Sequence, residues 1–256
     1  MSRRIHTMPK GNLLSTITPS PDGIAPGSTT SFTYDNKGQL LTITDSLGDV
    51  TAMTYTTTGL VATVTDAQGN VTHYEYDARG NRTAVLDALN NRSTFTYDAR
   101  NRLTQITYPD TTSTSFAYDT RGRRTSVTDQ NNKVTQYTYD DADRLISVTD
   151  AANNVTSYAY DTENNPTSIT DAIGRSTWFA YDAYGRVTQT TFPSSLIETY
   201  AYDAVGNLIS TTDRKGQAIS YTYDALNRLT QKSHPDSTAV NYTYDAASRS
   251  YGFSGG

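Results

Sequence analysis

An all-β repeat array, made of 21-residue β-hairpins joined into a long antiparallel sheet, is the fold class this sequence predicts. Three observations predict it. Tyr34, Tyr55, Tyr76, Tyr97, Tyr118, Tyr139, Tyr160, Tyr181, Tyr202, Tyr223 and Tyr244 are each separated by 21 residues without a slip. Turn residues recur twice in every period. The segments between turns are six or seven residues long and rich in Thr, Val, Ile and Tyr, which favour strands. A period of 20 to 50 residues is the mark of repeat architectures, in which one supersecondary unit is copied along the chain.

The first turn follows the tyrosine. In most units Tyr is followed by Asp, as in Tyr76-Asp77, Tyr97-Asp98 and Tyr202-Asp203, and three residues later comes Gly38, Gly59, Gly80, Asn101, Gly122, Asp143, Asn164, Gly185, Gly206, Asn227 or Ser248. Gly, Asn and Asp tolerate positive φ. An Asp at the first position with a left-handed residue at the fourth predicts a type I turn closing with a bulge. Here the Asp accepts a local backbone hydrogen bond, which accounts for its position beside Gly or Asn without any catalytic or calcium-binding role. The Gly-Gly-x-Gly-x-Asp pattern of calcium-binding solenoids is absent.

Strands come next, for example 39–44 and 49–55. Residues two apart share a face of a strand, so pairs such as Tyr74 with Tyr76 and Tyr200 with Tyr202 point the same way and stack into ladders. The second turn repeats the first as Asp45-Ser-Leu-Gly48, Asp66-Ala-Gln-Gly69, Asp87-Ala-Leu-Asn90, Asp171-Ala-Ile-Gly174 and Asp213-Arg-Lys-Gly216. Three units use Tyr108-Pro109-Asp110, Phe192-Pro193-Ser194 or His234-Pro235-Asp236 instead, turns of the same length with φ preset by proline.

The array divides the chain into residues 1–33, a degraded first repeat and a loop; 34–243, ten full repeats; and 244–256, a truncated last repeat and tail. Gly11-Asn12-Leu13-Leu14-Ser15-Thr16 resembles 206–211 and belongs to the degraded unit, the loop covers 19–28, and the array is expected to stop half way through a unit near Arg249-Ser250. About 22 strands, each about 20 Å long, exceed what an open twisted sheet holds flat, so the strip is expected to curl or spiral like a β-solenoid or partial hollow shell.

Composition narrows the function. The chain has 256 residues, Lys+Arg 21 against Asp+Glu 26, a net charge of -5 and no cysteine. That balance argues against a nucleic-acid groove, and the absence of Cys removes disulfides, thiolate metal sites and a cysteine nucleophile. Leu, Ile, Val and Phe make up only about 17% of the residues, a level that usually suggests disorder. The 20 Tyr and 45 Thr take their place as strand formers. No apolar run is long enough to span a membrane as a helix, and Met1–Lys10 lacks the apolar core of a secretory signal.

Candidate chemistry is sparse. Arg102, Arg123, Arg144, Arg186, Arg228 and Arg249 follow the turn Gly, Asn, Asp or Ser and are expected to pair with the Asp of the same turn. His6, His73 and His234 occupy unrelated repeat positions, and no metal set or Ser/His/Asp constellation can be assembled. The sequence offers no cofactor site. Trp178, the only Trp, is expected on the face opposite Phe179 and Tyr181, where it either packs between strands or stacks on a ligand such as a sugar ring. A glycosidase-like pair of carboxylates would have to come from residues outside the repeat pattern, such as Glu75, Glu163 or Glu198.

Tyr97-Asp-Ala-Arg-Asn-Arg-Leu103, Tyr181-Asp-Ala-Tyr-Gly-Arg-Val187 and Tyr223-Asp-Ala-Leu-Asn-Arg-Leu229 resemble the Rhs repeat, also called the YD repeat, and the resemblance covers nearly the whole chain. The family includes bacterial Rhs polymorphic toxins, insecticidal toxin complex subunits, cell-wall-associated bacterial proteins and teneurins. The resemblance implies a non-enzymatic wall or scaffold, secreted or at a cell surface, enclosing or presenting a toxin cargo. Its immediate partners would be neighbouring repeats or copies of itself. The alternative is an extracellular fibre or surface adhesin, built by edge-to-edge pairing and able to hold a surface glycan. A full shell of the family takes many more repeats. The Asp-Pro of the family's autoproteolytic segment does not occur here, and no toxin domain is evident after Tyr244.

Overall fold

The structure, a computed structural model, describes residues 4–7, 11–18, 27–245 and 250–255. Every regular element among them is a β-strand, and within each compact unit consecutive strands pair antiparallel. The chain forms two compact units. The first comprises residues 1–119 with 127–133, and the second comprises 120–126 with 134–256.

The first unit runs β1 (Arg4–Thr7), β2 (Leu13–Thr18), β3 (Ser28–Tyr34), β4 (Leu40–Thr44), β5 (Val50–Tyr55), β6 (Val61–Thr65), β7 (Val71–Tyr76), β8 (Arg82–Leu86), β9 (Arg92–Tyr97), β10 (Leu103–Thr107) and β11 (Ser113–Tyr118). Residues of β12 (Arg124–Thr128) fall in both units. The second unit continues with β13 (Val134–Tyr139), β14 (Leu145–Thr149), β15 (Val155–Tyr160), β16 (Pro166–Thr170), β17 (Ser176–Tyr181), β18 (Val187–Thr191), β19 (Ile197–Tyr202), β20 (Leu208–Thr212), β21 (Ala218–Tyr223), β22 (Leu229–Ser233), β23 (Ala239–Tyr244) and β24 (Ser250–Gly255).

The all-β reading and the strand-turn-strand period hold. Within the degraded first unit, β2 pairs with both β1 and β3. In the last unit, expected to be truncated, β24 pairs with β23 along Val240–Tyr244 and supplies the next strand after Tyr244. Among the described residues the strands number 24, counting β1 and β24 at the two ends. Most of the loop predicted at 19–28, and Ser248 and Arg249, lie outside the described residues.

The two turns of each period are built alike. At the first, the Asp77 amide donates to the Asn81 carbonyl at 2.9 Å and the Gly80 amide donates back to the Asp77 carbonyl at 3.0 Å. The fourth residue is left-handed in the described first turns, from Gly38 (φ 86°) and Gly122 (φ 95°) to Asn101 (φ 61°) and Asp143 (φ 65°). The register shifts by one residue just before the tyrosine in hairpin after hairpin, as between Glu75 and Tyr76 and between Ala159 and Tyr160, which is the bulge that this turn demands. Proline turns keep the same bonds, with Thr111, Ser195 and Ser237 taking the positive φ.

Each unit is a single layer. Among the described residues, strands touch only their chain neighbours, and no large side chain is fully buried. Ala84, at 1% exposure, is the sole buried hydrophobic residue among them, joined by the polar Thr16, Ser168 and Thr190. One face carries the half-buried aromatics; the intervening residues, such as Glu75 between Tyr74 and Tyr76, are exposed. With no second layer to supply a core, cohesion has to come from the backbone ladder and from contacts between neighbouring hairpins.

Candidate functional site

The features that repeat are three sets of side chains that tie each hairpin to the next. The tyrosine hydroxyls form the first. Tyr55 donates to the Leu40 carbonyl at 2.6 Å, Tyr118 to Leu103 at 2.8 Å, Tyr160 to Leu145 at 2.8 Å, Tyr181 to Pro166 at 2.7 Å, Tyr202 to Val187 at 3.0 Å and Tyr223 to Leu208 at 2.9 Å, in each case 15 residues back. Tyr97, Tyr139 and Tyr244 do the same to Arg82, Arg124 and Leu229, and Tyr34 reaches Leu13 at 2.8 Å. A phenol is needed for this bond, whereas the position two residues earlier also takes Phe32 and Met53 beside tyrosines such as Tyr74.

Aspartates form the second set. Asp77 Oδ1 accepts from the amides of Arg79 and Asn81, both at 2.9 Å, and its Oδ2 accepts from Asn81 Nδ2 at 2.8 Å. Asp203 is held the same way by Val205, Asn207 and the Asn207 side chain. In Asp98 the last partner is Arg102 Nε, at 2.7 Å. The Asn81 side chain, followed by its amide, holds the Asp77 carboxyl below its ordinary value, and the Arg102 amide leads the same effect on Asp98. These carboxylates are ionised and accept the hydrogen bonds of their own turns.

Arginines form the third set. The expected pairing within a turn is present: Arg144 Nε lies 2.7 Å from Asp140 Oδ2, Arg186 Nε 2.6 Å from Asp182 Oδ2 and Arg228 Nε 2.7 Å from Asp224 Oδ2. The same guanidinium also reaches the next repeat, which spacing alone did not reveal. Arg144 Nη1 donates to the Asp161 carbonyl at 2.8 Å while its guanidinium carbon lies 4.9 Å from the centre of the Tyr160 ring. Arg102 covers Tyr118 at 4.6 Å, Arg123 covers Tyr139 at 4.8 Å, Arg186 covers Tyr202 at 4.5 Å and Arg228 covers Tyr244 at 4.7 Å. One residue thus closes its own turn and caps the following aromatic by a cation–π contact.

The non-repeat carboxylates do not converge. Glu75 pairs with Arg92 at 2.8 Å, Glu163 accepts from the Thr162 hydroxyl at 2.8 Å, and Glu198 accepts from Arg214 and from the Tyr200 hydroxyl, both at 3.1 Å. Among the described residues no three His, Asp or Glu side chains are disposed to hold a metal ion, and no helix is long and apolar enough to cross a membrane. Trp178 is 54% exposed and sits across from Ser168 and Thr191, while its neighbour Phe179 is half-buried. It stands on the face opposite the aromatic pair, as expected.

Comparison with known proteins gives a consistent picture. The model of the Teneurin YD-shell family matches residues 11–135 and 81–254. No curated protein sequence matches the chain. Among solved structures, the chain is similar to the Photorhabdus luminescens Tc holotoxin pore, with 16% identity, a TM-score of 0.55, and coverage of 97% of this chain and 17% of that one. It is also similar to the crystal structure of TcdB2-TccC3-Cdc42, with 15% identity, a TM-score of 0.51 and coverage of 98% and 18%. The likeness lies in the fold, and this chain spans less than a fifth of the length of either structure.

Proposed function

The chain belongs to the Teneurin YD-shell family, and from that premise we propose that it is a structural wall segment whose work is to enclose or present a toxin polypeptide. The observation that carries this reading is the single-layer construction of each unit, in which the repeats are buckled to one another by tyrosine, aspartate and arginine and leave no shared core. Such a sheet separates two compartments and needs no catalytic group. The engagement of the turn aspartates in local hydrogen bonds supports a structural part over an enzymatic one. The solved neighbours come from toxin complexes, which supports cargo as the partner and a secreted or cell-surface setting.

A second reading is a self-assembling fibre or adhesin. It is favoured by β1 and β24, each of which pairs with one described strand only. In this reading the exposed Trp178 serves as a platform for a surface glycan. Negative-stain electron microscopy of the purified chain over a range of concentrations, with light scattering alongside, separates the two. Discrete particles of monomer mass are expected for the wall segment. Long fibres of constant width would overturn it in favour of assembly.

A further inference from the structure

Asn165 stands where Arg102, Arg144, Arg186 and Arg228 stand in their own repeats. Its amide reaches Asp161 Oδ2 at 2.9 Å and goes no further. The next tyrosine, Tyr181, therefore lacks the guanidinium that covers Tyr160 in the preceding repeat at 4.9 Å and Tyr202 in the following one at 4.5 Å. The Asp182 carbonyl accepts from the Gly185 amide at 3.0 Å but lacks the arginine donor that the Asp161 carbonyl receives from Arg144 at 2.8 Å. The vacated space is a cleft of about 850 Å³ lined by Asp161, Glu163, Asn165, Tyr181, Asp182 and Tyr184 among others.

We infer that this cleft binds a guanidinium group, supplied by an arginine side chain of a partner polypeptide. The molecule itself displays the chemistry of the occupant, because a guanidinium fills the same place wherever the repeat carries arginine. Three contacts define that place: a carboxylate Oδ2, a main-chain carbonyl of the next turn and the face of a tyrosine ring. A planar, forked cation meets all three together, and a lysine ammonium does not. Charge agrees with shape. Asp161 Oδ2 is bonded in its turn to a neutral amide where Asp140 Oδ2 has Arg144. The Arg144 guanidinium acts on the Asp161 carboxylate by its charge alone, and the Glu163 carboxylate, at the rim, is bonded to a hydroxyl. Burial first, and the Asp161 charge second, hold the Tyr181 hydroxyl above its ordinary pKa.

Two other repeats carry asparagine at this position, and in both the asparagine reaches across to the next turn. The Asn81 amide donates to Asn101 Oδ1 at 3.0 Å, and Arg82 comes over the Phe95 ring at 5.0 Å, leaving a cleft of about 390 Å³. The Asn207 amide donates to Asn227 Oδ1 at 2.9 Å. After Asn165 the equivalent turn residue is Gly185, which has no side chain, and the counterpart of Arg82 is Pro166. The cleft is far larger than one guanidinium, and Tyr184 beside it is 81% exposed, so it offers surface for the residues flanking an arginine in a peptide.

The test is nuclear magnetic resonance of the full chain with labelled tyrosine rings and amides, titrated with acetyl-Gly-Arg-Gly-amide, its lysine counterpart and free arginine. Saturable shifts at Tyr181, Asn165 and Gly185 are expected with the arginine peptide, with about tenfold weaker binding of the lysine peptide. Asn165→Arg should place the chain's own guanidinium over Tyr181 and abolish the response without lowering the melting temperature. Should that variant misfold, Glu163→Gln at the exposed rim provides the second reading and is expected to weaken binding several-fold with an unchanged circular dichroism spectrum. Absence of a saturable shift, equal binding of the lysine peptide, or full binding by Glu163→Gln or a folded Asn165→Arg would overturn the site. Equal affinity for free arginine would overturn the partner polypeptide as its source.

Discussion

The Tyr160 hydroxyl donates to the Leu145 carbonyl across a hairpin boundary at 2.8 Å. Because the same bond recurs from Tyr118 to Leu103 and from Tyr223 to Leu208, it explains why this column holds only tyrosine while the column two residues earlier accepts Phe and Met. In a one-layer sheet such a bond substitutes for part of the packing that a second layer would provide.

Tyr160→Phe is therefore expected to lower stability by about 1 kcal/mol, the net worth of one hydrogen bond. Tyr158→Phe should be near neutral, since that position uses the ring and not the hydroxyl. Chemical denaturation followed by circular dichroism compares the two, and equal losses would show that the hydroxyl bond contributes nothing.

Gly174 closes a second turn at φ 80°, and a Cβ placed there meets nothing within 4 Å. The cost of Gly174→Ala is then the backbone alone, about 1 kcal/mol. Gly174→Asn should cost less, because Asn90, Asn132 and Asn153 hold φ between 57° and 64° in the equivalent turns. Melting curves of the two variants should rank the asparagine variant above the alanine one; the reverse order would mean that side-chain contacts decide this turn.

Acid should unfold the array through its turns. Hydrogen bonds from Asn70, Asn81 and Asn91 hold Asp66, Asp77 and Asp87 below their ordinary value of 3.8. A carboxylate whose pKa is lowered by folding contributes its full stabilisation above the unfolded value and loses it as pH falls through the folded value. The melting temperature should hold steady from neutral pH down to about 4 and fall below that. A decline beginning near pH 6 would point to other groups.

The period, the two turns and the strands are all legible in the amino-acid sequence. These follow from contacts within one hairpin: the Asp that closes a turn, the left-handed residue at its fourth position and the alternation of faces along a strand are all set by neighbours a few residues apart. What joins one hairpin to the next is visible in the folded chain alone. That Tyr160 finds Leu145, that Arg144 spans from Asp140 to the Asp161 carbonyl, and that Asn165 leaves the Tyr181 ring uncovered all depend on how far a side chain reaches across stacked strands. An Arg-to-Asn change in the repeat reads as a minor polar variation in the sequence. In three dimensions it removes a guanidinium from the next repeat, because each arginine serves two turns and a shorter side chain can serve only its own.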